Sequence, residues 1–124
     1  MSNQPEANCP TLAEIIQPVL EREKERVRKN NQRAQERGQA ATLTLRQWLI
    51  ILHHYQWRCA HCQRIGFQTL DHIIPLADGG GTMATNCVPA CEKCNHERSA
   101  RWQKEQRLVR RLEEVFSLLT KVDG

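Results

Sequence analysis

Two Cys-x-x-Cys pairs constrain this chain more than any other feature of its sequence. Cys59 and Cys62 form the first pair, Cys91 and Cys94 form the second, and residues 63–90 separate them. Each pair can bind a tetrahedral cation through two sulfur atoms, and four thiolates complete a structural zinc site that leaves no position for water. We therefore expect Zn²⁺ to stabilise the fold and to take no part in bond breaking.

The composition is that of a small, metal-stabilised domain. The chain has 124 residues with only 5% aromatics, and its mean hydropathy of -0.64 predicts a thin apolar core. Residues 1–10 are polar and lack the pattern of a signal peptide, and no apolar run approaches the ~20 residues that cross a bilayer. Six cysteines without a sign of secretion favour metal binding in the cytoplasm over the alternative, redox or disulfide cysteines.

Basic residues are concentrated in two stretches of the chain. The formal charge is +4, with seven basic and four acidic residues at 21–37, and six basic residues and one acidic residue at 98–111. Such stretches attract polyanions, above all nucleic acid. In the first stretch the basic residues recur every three or four positions along a predicted helix. That pattern is equally compatible with a solvated helix face and with phosphate contact.

Capping signals predict two helices in the first half of the chain. Thr11 and Glu14 have the spacing of a capping box and open the first helix, which Gly38 would end. Pro18 would either bend this helix or divide it into a short helix and a longer one. A second capping box begins at Thr44 and opens a helix at about residues 45–56.

The second half of the chain predicts a β-hairpin followed by a helix, so the expected fold class is α+β. Short apolar pieces separated by turn residues predict the hairpin, and an apolar stripe at helical spacing follows the last cysteine. We expect two parts, a helical basic N-terminal arm at 1–40 and a domain at 41–124. Within that domain the zinc-stabilised core spans about 57–100, and a helix at about 100–120 lies over it.

The segment between the cysteine pairs contains the residues that suggest chemistry. An Asp-His-Ile-Ile-Pro-Leu motif occupies residues 71–76, a glycine-rich turn follows, and Asn86 precedes the second pair. Over about residues 59–99 this arrangement resembles the HNH endonucleases. The resemblance implies a ββα-metal fold and a metal-dependent endonuclease that hydrolyses phosphodiester bonds of DNA.

Phosphodiester hydrolysis needs a base, a cation and correct alignment of the attacking water. His72 can serve as the general base, because a neutral imidazole accepts a proton near working pH. The resemblance implies that Asn86 fixes the loop and orients His72, and that Asp71 holds a catalytic Mg²⁺ or Mn²⁺. Alternation along a strand would point Asp71 and His72 to opposite sides, so both can serve one site only if the strand bends or ends there.

The last position of the motif departs from the usual family pattern. The residue directly after the last cysteine is often His, but in this chain Asn95 stands there and His96 follows. Asn95 is the predicted second ligand, because a side-chain carbonyl oxygen can bind Mg²⁺. His96 is the alternative ligand and would favour softer ions such as Zn²⁺ or Ni²⁺.

The resemblance also implies a DNA-binding surface, in which the hairpin and the next helix straddle the minor groove and contact mainly the phosphate backbone. The predicted phosphate-binding residues lie in both basic stretches and are Arg26, Lys29, Arg33, Arg98, Arg101, Lys104 and Arg107. The main alternative is a non-catalytic zinc-ribbon module that binds nucleic acid, which has no need of Asp71 and His72. A third interpretation, an adaptor that binds partners through its amphipathic C-terminal helix, does not explain these two residues.

The remaining histidines and two tryptophans are assigned no function. His53 and His54 fall at the end of a predicted helix. His61 lies between Cys59 and Cys62, in the segment that we call the first knuckle; residues 91–94 form the second. Trp57 and Trp102 flank the cysteine frame and are expected to pack in the core rather than to stack on bases.

Overall fold

The computed structural model describes residues 9–67 and 69–123 and has an α+β fold, as predicted. Helices α1 (Leu12–Glu36) and α2 (Leu45–His54) come first along the chain. Strands β1 (Thr69–His72) and β2 (Cys87–Ala90) follow, with a short 3₁₀ turn at Leu76–Asp78 between them, and helix α3 (Glu92–Asp123) comes last.

Both predicted capping boxes form and set the starts of the first two helices. Thr11 and Glu14 exchange side-chain and backbone hydrogen bonds at α1, and Thr44 does so with Gln47 at α2. Of the two outcomes allowed for Pro18, one continuous helix is observed, because Pro18 lies inside α1. Gly38 follows the end of α1 with φ 69°, a left-handed conformation that stops the helix.

Helix α1 packs against α2 and the hairpin. Val27 of α1 joins Trp48, Leu52 and Leu70 in one buried cluster. The carboxylate of Glu23, which is 1% exposed, accepts a hydrogen bond of 3.0 Å from the Trp48 indole. This contact satisfies two polar groups that would be costly to bury alone. The division into an arm at 1–40 and a domain at 41–124 stays a prediction, but α1 contributes directly to the core.

The predicted hairpin is a two-stranded antiparallel sheet. Its register pairs Thr69 with Ala90 and His72 with Cys87. Every residue of β2 is buried, while β1 is buried only at its two central positions. Of the motif residues, Asp71 is therefore at a buried central position of β1 and His72 is at its half-buried end.

The long helix α3 differs from the prediction in two respects, its start and its packing. The helix expected at about 100–120 is continuous with the helix that begins directly after Cys91. Residues 107–120 are exposed, including the apolar side chains Leu108, Leu112 and Phe116, so this part does not lie over the core as expected. Although α3 has 32 residues, no helix among the described residues is long and apolar enough to cross a membrane.

Candidate active site and metal centre

The four paired cysteines converge on one point. The Sγ atoms of Cys59, Cys62, Cys91 and Cys94 all lie within 4.8 Å of one another, and those of Cys62 and Cys91 are 3.9 Å apart. A tetrahedral zinc ion with Zn–S bonds of ~2.3 Å requires sulfur atoms about 3.8 Å apart. The cluster is therefore consistent with a structural zinc site, as the spacing of the pairs predicted.

Backbone hydrogen bonds shape the two knuckles around the sulfur atoms. The N–H groups of His61 and Cys94 point at the Sγ atoms of Cys59 and Cys91, at 3.4 and 3.5 Å. Burial raises the pKa of the Cys59 thiol, but hydrogen bonds from the backbone of Cys62, Cys91 and His61 outweigh it and lower the pKa to about 6. A thiolate is thus favoured at Cys59, whereas hydrogen bonding to Cys91 and burial raise the pKa of Cys94 to about 12.

Asn86 ties together the loop that follows β1. Its Oδ1 accepts a hydrogen bond of 2.8 Å from the Ile74 N–H, and its Nδ2 donates to the carbonyl oxygens of Ile74 and Gly81 at 3.0 and 2.8 Å. The loop passes so close to itself that a Cβ at Gly80 would lie 1.8 Å from the Ile74 oxygen. Asn86 therefore fixes this loop, which is the role that the family resemblance implied for it.

His72 ends β1 with one ring nitrogen already bonded. Its Nε2 lies 2.9 Å from the Thr82 hydroxyl, which itself donates to the backbone carbonyl of Asn30 at 2.9 Å. A hydroxyl has one proton, so Thr82 accepts from His72, and the proton of the neutral imidazole is on Nε2. Nδ1 is then the basic nitrogen. Burial, aided by the charge of Arg33, lowers the pKa of His72 to about 4, which keeps the ring neutral at neutral pH.

Asp71 is buried beside the cysteine centre and is 6% exposed. Its Oδ2 is 2.8 Å from Nε2 of His61 and 3.5 Å from Nε of Arg98. Burial raises the pKa of the Asp71 carboxyl, while His61 and Arg98 oppose that rise. Sequence analysis did not predict the contact with His61, because the residues around His61 do not show that its side chain reaches strand β1.

Asn95 lies in the first turn of α3, where its N–H donates to the Cys91 carbonyl at 3.0 Å. Its side-chain Nδ2 donates to the Thr69 hydroxyl at 3.3 Å. His96, the alternative ligand, is exposed. Asn95 lines the cavity that contains Asp71 and His72, whereas His96 is not among the residues that line it.

A cavity of about 220 Å³ brings the predicted site residues together. Asp71 and His72 line it from β1, Asn95 and Arg98 from α3, Arg33 from α1, and Arg37 from the C-cap that follows α1. Asp71 and His72 were expected to serve one site only if the strand bends or ends there, and β1 ends at His72.

The two tryptophans that flank the cysteine pairs are not in the core. Trp102 lines this cavity and donates to Asp78 at 2.8 Å, while Trp57 is 37% exposed. The prediction that both tryptophans pack in the core is therefore wrong.

A second, larger cavity of about 510 Å³ continues from the first along α1. The two share Arg33, Leu70 and Asn95, and the second is also lined by Arg22, Arg26 and Lys29. We call the two together the basic groove. Not every predicted phosphate ligand is equally available, because Arg26 is paired with Glu23 at 2.9 Å and stacks over Phe67. Arg101, Lys104 and Arg107 are exposed on α3 and do not line the groove.

Comparison with known proteins gives one family. Residues 58–101 match the family model described as HNH endonuclease. The matched segment includes both cysteine pairs and the motif residues from Asp71 to Asn95. No curated protein and no solved structure was found to match the chain.

Proposed function

We propose that this chain, which contains an HNH endonuclease domain at residues 58–101, is a metal-dependent endonuclease that hydrolyses phosphodiester bonds of DNA. One observation carries the proposal. A single cavity is lined by Asp71, His72, Asn95 and Arg98, together with Arg33 and Arg37. A base, oxygen ligands for a cation and a phosphate-binding guanidinium are the groups that phosphodiester hydrolysis requires.

His72 is the proposed general base, acting through Nδ1. Its Nε2 proton is held by Thr82, so the ring is oriented by a contact on the side away from the reacting atoms. The low pKa of His72 keeps Nδ1 free of a proton at neutral pH, but it also makes Nδ1 a weaker base than an unperturbed imidazole. Nδ1 would accept a proton from the attacking water as the water oxygen bonds to phosphorus and the P–O bond to the leaving oxygen breaks. Asn86 supports this geometry by fixing the loop at residues 74–81.

Asp71 and Asn95 are the proposed ligands of the catalytic cation. Carboxylate and amide oxygens suit Mg²⁺ or Mn²⁺, and both residues line the cavity next to His72. When bound there, a divalent cation would polarise the phosphate and stabilise the negative charge on the leaving oxygen. The four-cysteine cluster is proposed to hold a separate zinc ion that is purely structural, since its four sulfur ligands leave no open position.

The basic groove is the proposed path of the DNA backbone. It extends from Arg22 and Lys29 on α1, past Arg33, to the cavity with Arg98. Phosphate contacts supply sequence-independent affinity and position the backbone over the reacting groups. Arg101, Lys104 and Arg107 on α3 would contact phosphates outside the groove.

The test is a supercoiled-plasmid cleavage assay with zinc-replete protein from which other metals have been removed. Mg²⁺, Mn²⁺ or Ni²⁺ is then added separately, with the His72→Ala variant beside the wild type. We expect metal-dependent nicking or linearisation by the wild type and a loss of at least about 100-fold in His72→Ala.

The control is that His72→Ala retains its zinc and its far-UV circular dichroism spectrum, so that a loss of cleavage is not a loss of fold. Normal turnover in His72→Ala would rule out the general-base role. Salt-sensitive DNA binding with no cleavage by the wild type in any metal would instead support a zinc-ribbon binding module.

A further inference from the structure

We propose that His61 is a positioning residue for the catalytic cation: it holds one oxygen of the Asp71 carboxylate and leaves the other for the metal. This inference rests on the proposed function, because it takes Asp71 as a ligand of the catalytic cation. It assigns a second role to the first knuckle, whose cysteines are proposed to bind the structural zinc ion.

The contact between the two side chains is short and shielded from water. Nε2 of His61 lies 2.8 Å from Oδ2 of Asp71, and the side chains are 19% and 7% exposed. Arg98 approaches the same oxygen at 3.5 Å. Among the described residues, no side chain bonds to Oδ1 of Asp71. One carboxylate oxygen is thus bonded to protein, the other has no side-chain partner among the described residues, and Asp71 lines the cavity.

The knuckle holds His61 in place from both sides. His61 stands between the metal-binding residues Cys59 and Cys62, and the preceding Ala60 N–H donates to the Pro89 carbonyl on β2 at 2.9 Å. The cysteine cluster and the sheet therefore determine where the imidazole lies. A buried carboxylate held by such a partner loses little rotational freedom when it binds a cation, and partners of this kind typically contribute ~10- to 100-fold in metal affinity or activity.

The geometry also identifies Nε2 as the ring nitrogen of His61 that contacts Asp71. An ionised carboxylate can only accept a hydrogen bond, so the proton of this contact belongs to Nε2 of His61. The amide nitrogen of glutamine reaches about as far from the backbone as Nε2, whereas that of asparagine stops at about the distance of Nδ1. Glutamine at this position can therefore restore the contact, and asparagine cannot.

The experiment measures Mn²⁺ binding to zinc-replete protein by electron paramagnetic resonance, with plasmid cleavage measured in parallel. The variants are His61→Asn, His61→Gln, and His53→Ala as a control at an exposed histidine outside the site. We expect His61→Asn to weaken Mn²⁺ binding by roughly 10-fold or more, with cleavage at low Mn²⁺ reduced in parallel. His61→Gln should restore most of the affinity, and His53→Ala should match the wild type.

Zinc content is measured in every variant, because the positioning role requires that the four cysteines still hold their metal. Equal Mn²⁺ affinity in all variants, equal losses in His61→Asn and His61→Gln, or release of zinc from His61→Asn would each overturn the proposal. These results are distinct from failure of the proposed function. In that case the wild type itself would neither bind Mn²⁺ in this cavity nor cleave DNA, and Asp71→Asn would change nothing.

Discussion

The Thr82 hydroxyl decides which ring nitrogen of His72 carries the proton. It is fully buried, donates to the Asn30 carbonyl of α1 and accepts from Nε2 of His72. The hydroxyl thus connects a helix of the N-terminal half to the proposed general base. Neither contact can be replaced by water without opening the core.

Replacement of Thr82 tests the orientation of the His72 ring while His72 itself stays in place. Thr82→Val keeps the volume but removes the hydroxyl, so it leaves His72 Nε2 unpaired and removes the extra hydrogen bond to the Asn30 carbonyl, which keeps its bond within α1. We expect a loss of about 1–3 kcal/mol in the free energy of unfolding, measured by urea denaturation. Cleavage should fall by roughly 10-fold or more. Thr82→Ser retains the hydroxyl and is the matched control, and a Thr82→Val enzyme as fast as Thr82→Ser would argue against orientation through this residue.

At the scale of elements, the cysteine cluster connects two segments, the first knuckle and the start of α3, that have only a small apolar core around them. The first knuckle has no regular secondary structure of its own, and the second leads directly into α3. The buried cluster around them consists mainly of Cys59, Ala90 and Cys91, which is a very small apolar core. Metal binding is therefore expected to provide much of the stability of this half of the domain.

Removal of one zinc ligand should have a large effect on stability. We expect Cys94→Ser to release zinc and to lower Tm by more than about 10 °C, because structural zinc contributes directly to the free energy of folding. Zinc is measured by atomic absorption, and Tm is measured by circular dichroism. Cys9→Ser, at an exposed thiol outside the cluster, should retain zinc and the wild-type Tm. Full zinc occupancy in Cys94→Ser would contradict the four-cysteine site.

At the scale of the whole molecule, the basic groove joins the two halves of the chain. Arg33 on α1 lines both of its cavities, one of which contains Asp71, His72 and Asn95 of the segment that matches the HNH endonuclease model. The charge of Arg33 is also one cause of the lowered pKa of His72. The first basic stretch is therefore part of the wall of the candidate active site.

The groove can be tested through the salt dependence of DNA binding. Each phosphate contact that is lost should reduce the slope of log K against log salt concentration by about 0.9. We expect Lys29→Ala and Arg33→Ala each to reduce the slope by roughly this amount in a fluorescence anisotropy titration. Arg28→Ala removes the same charge from α1, but Arg28 is paired with Glu25 and lines neither cavity, so its slope should be unchanged. Identical slopes for all three variants would place the DNA elsewhere.

The sequence by itself determined the features that depend on near neighbours. The capping boxes at Thr11 and Thr44, the stop at Gly38 and the four-cysteine cluster were all predictable. Each depends on residue type at a fixed short spacing, or on ligand chemistry that is the same in any fold. The motif that contains Asp71 and His72 was recognisable for the same reason.

Only the tertiary structure decided which distant residues meet. It brought His61 to Asp71, Thr82 to Asn30, and Arg33 into the cavity beside His72. It also left the outer part of α3 exposed where packing over the core was expected. These contacts join residues on different elements, and they depend on how helices and strands pack in three dimensions. Apart from the two cysteine pairs, spacing along the chain did not indicate which of these residues meet, so the sequence identified the chemical groups while the fold set their partners.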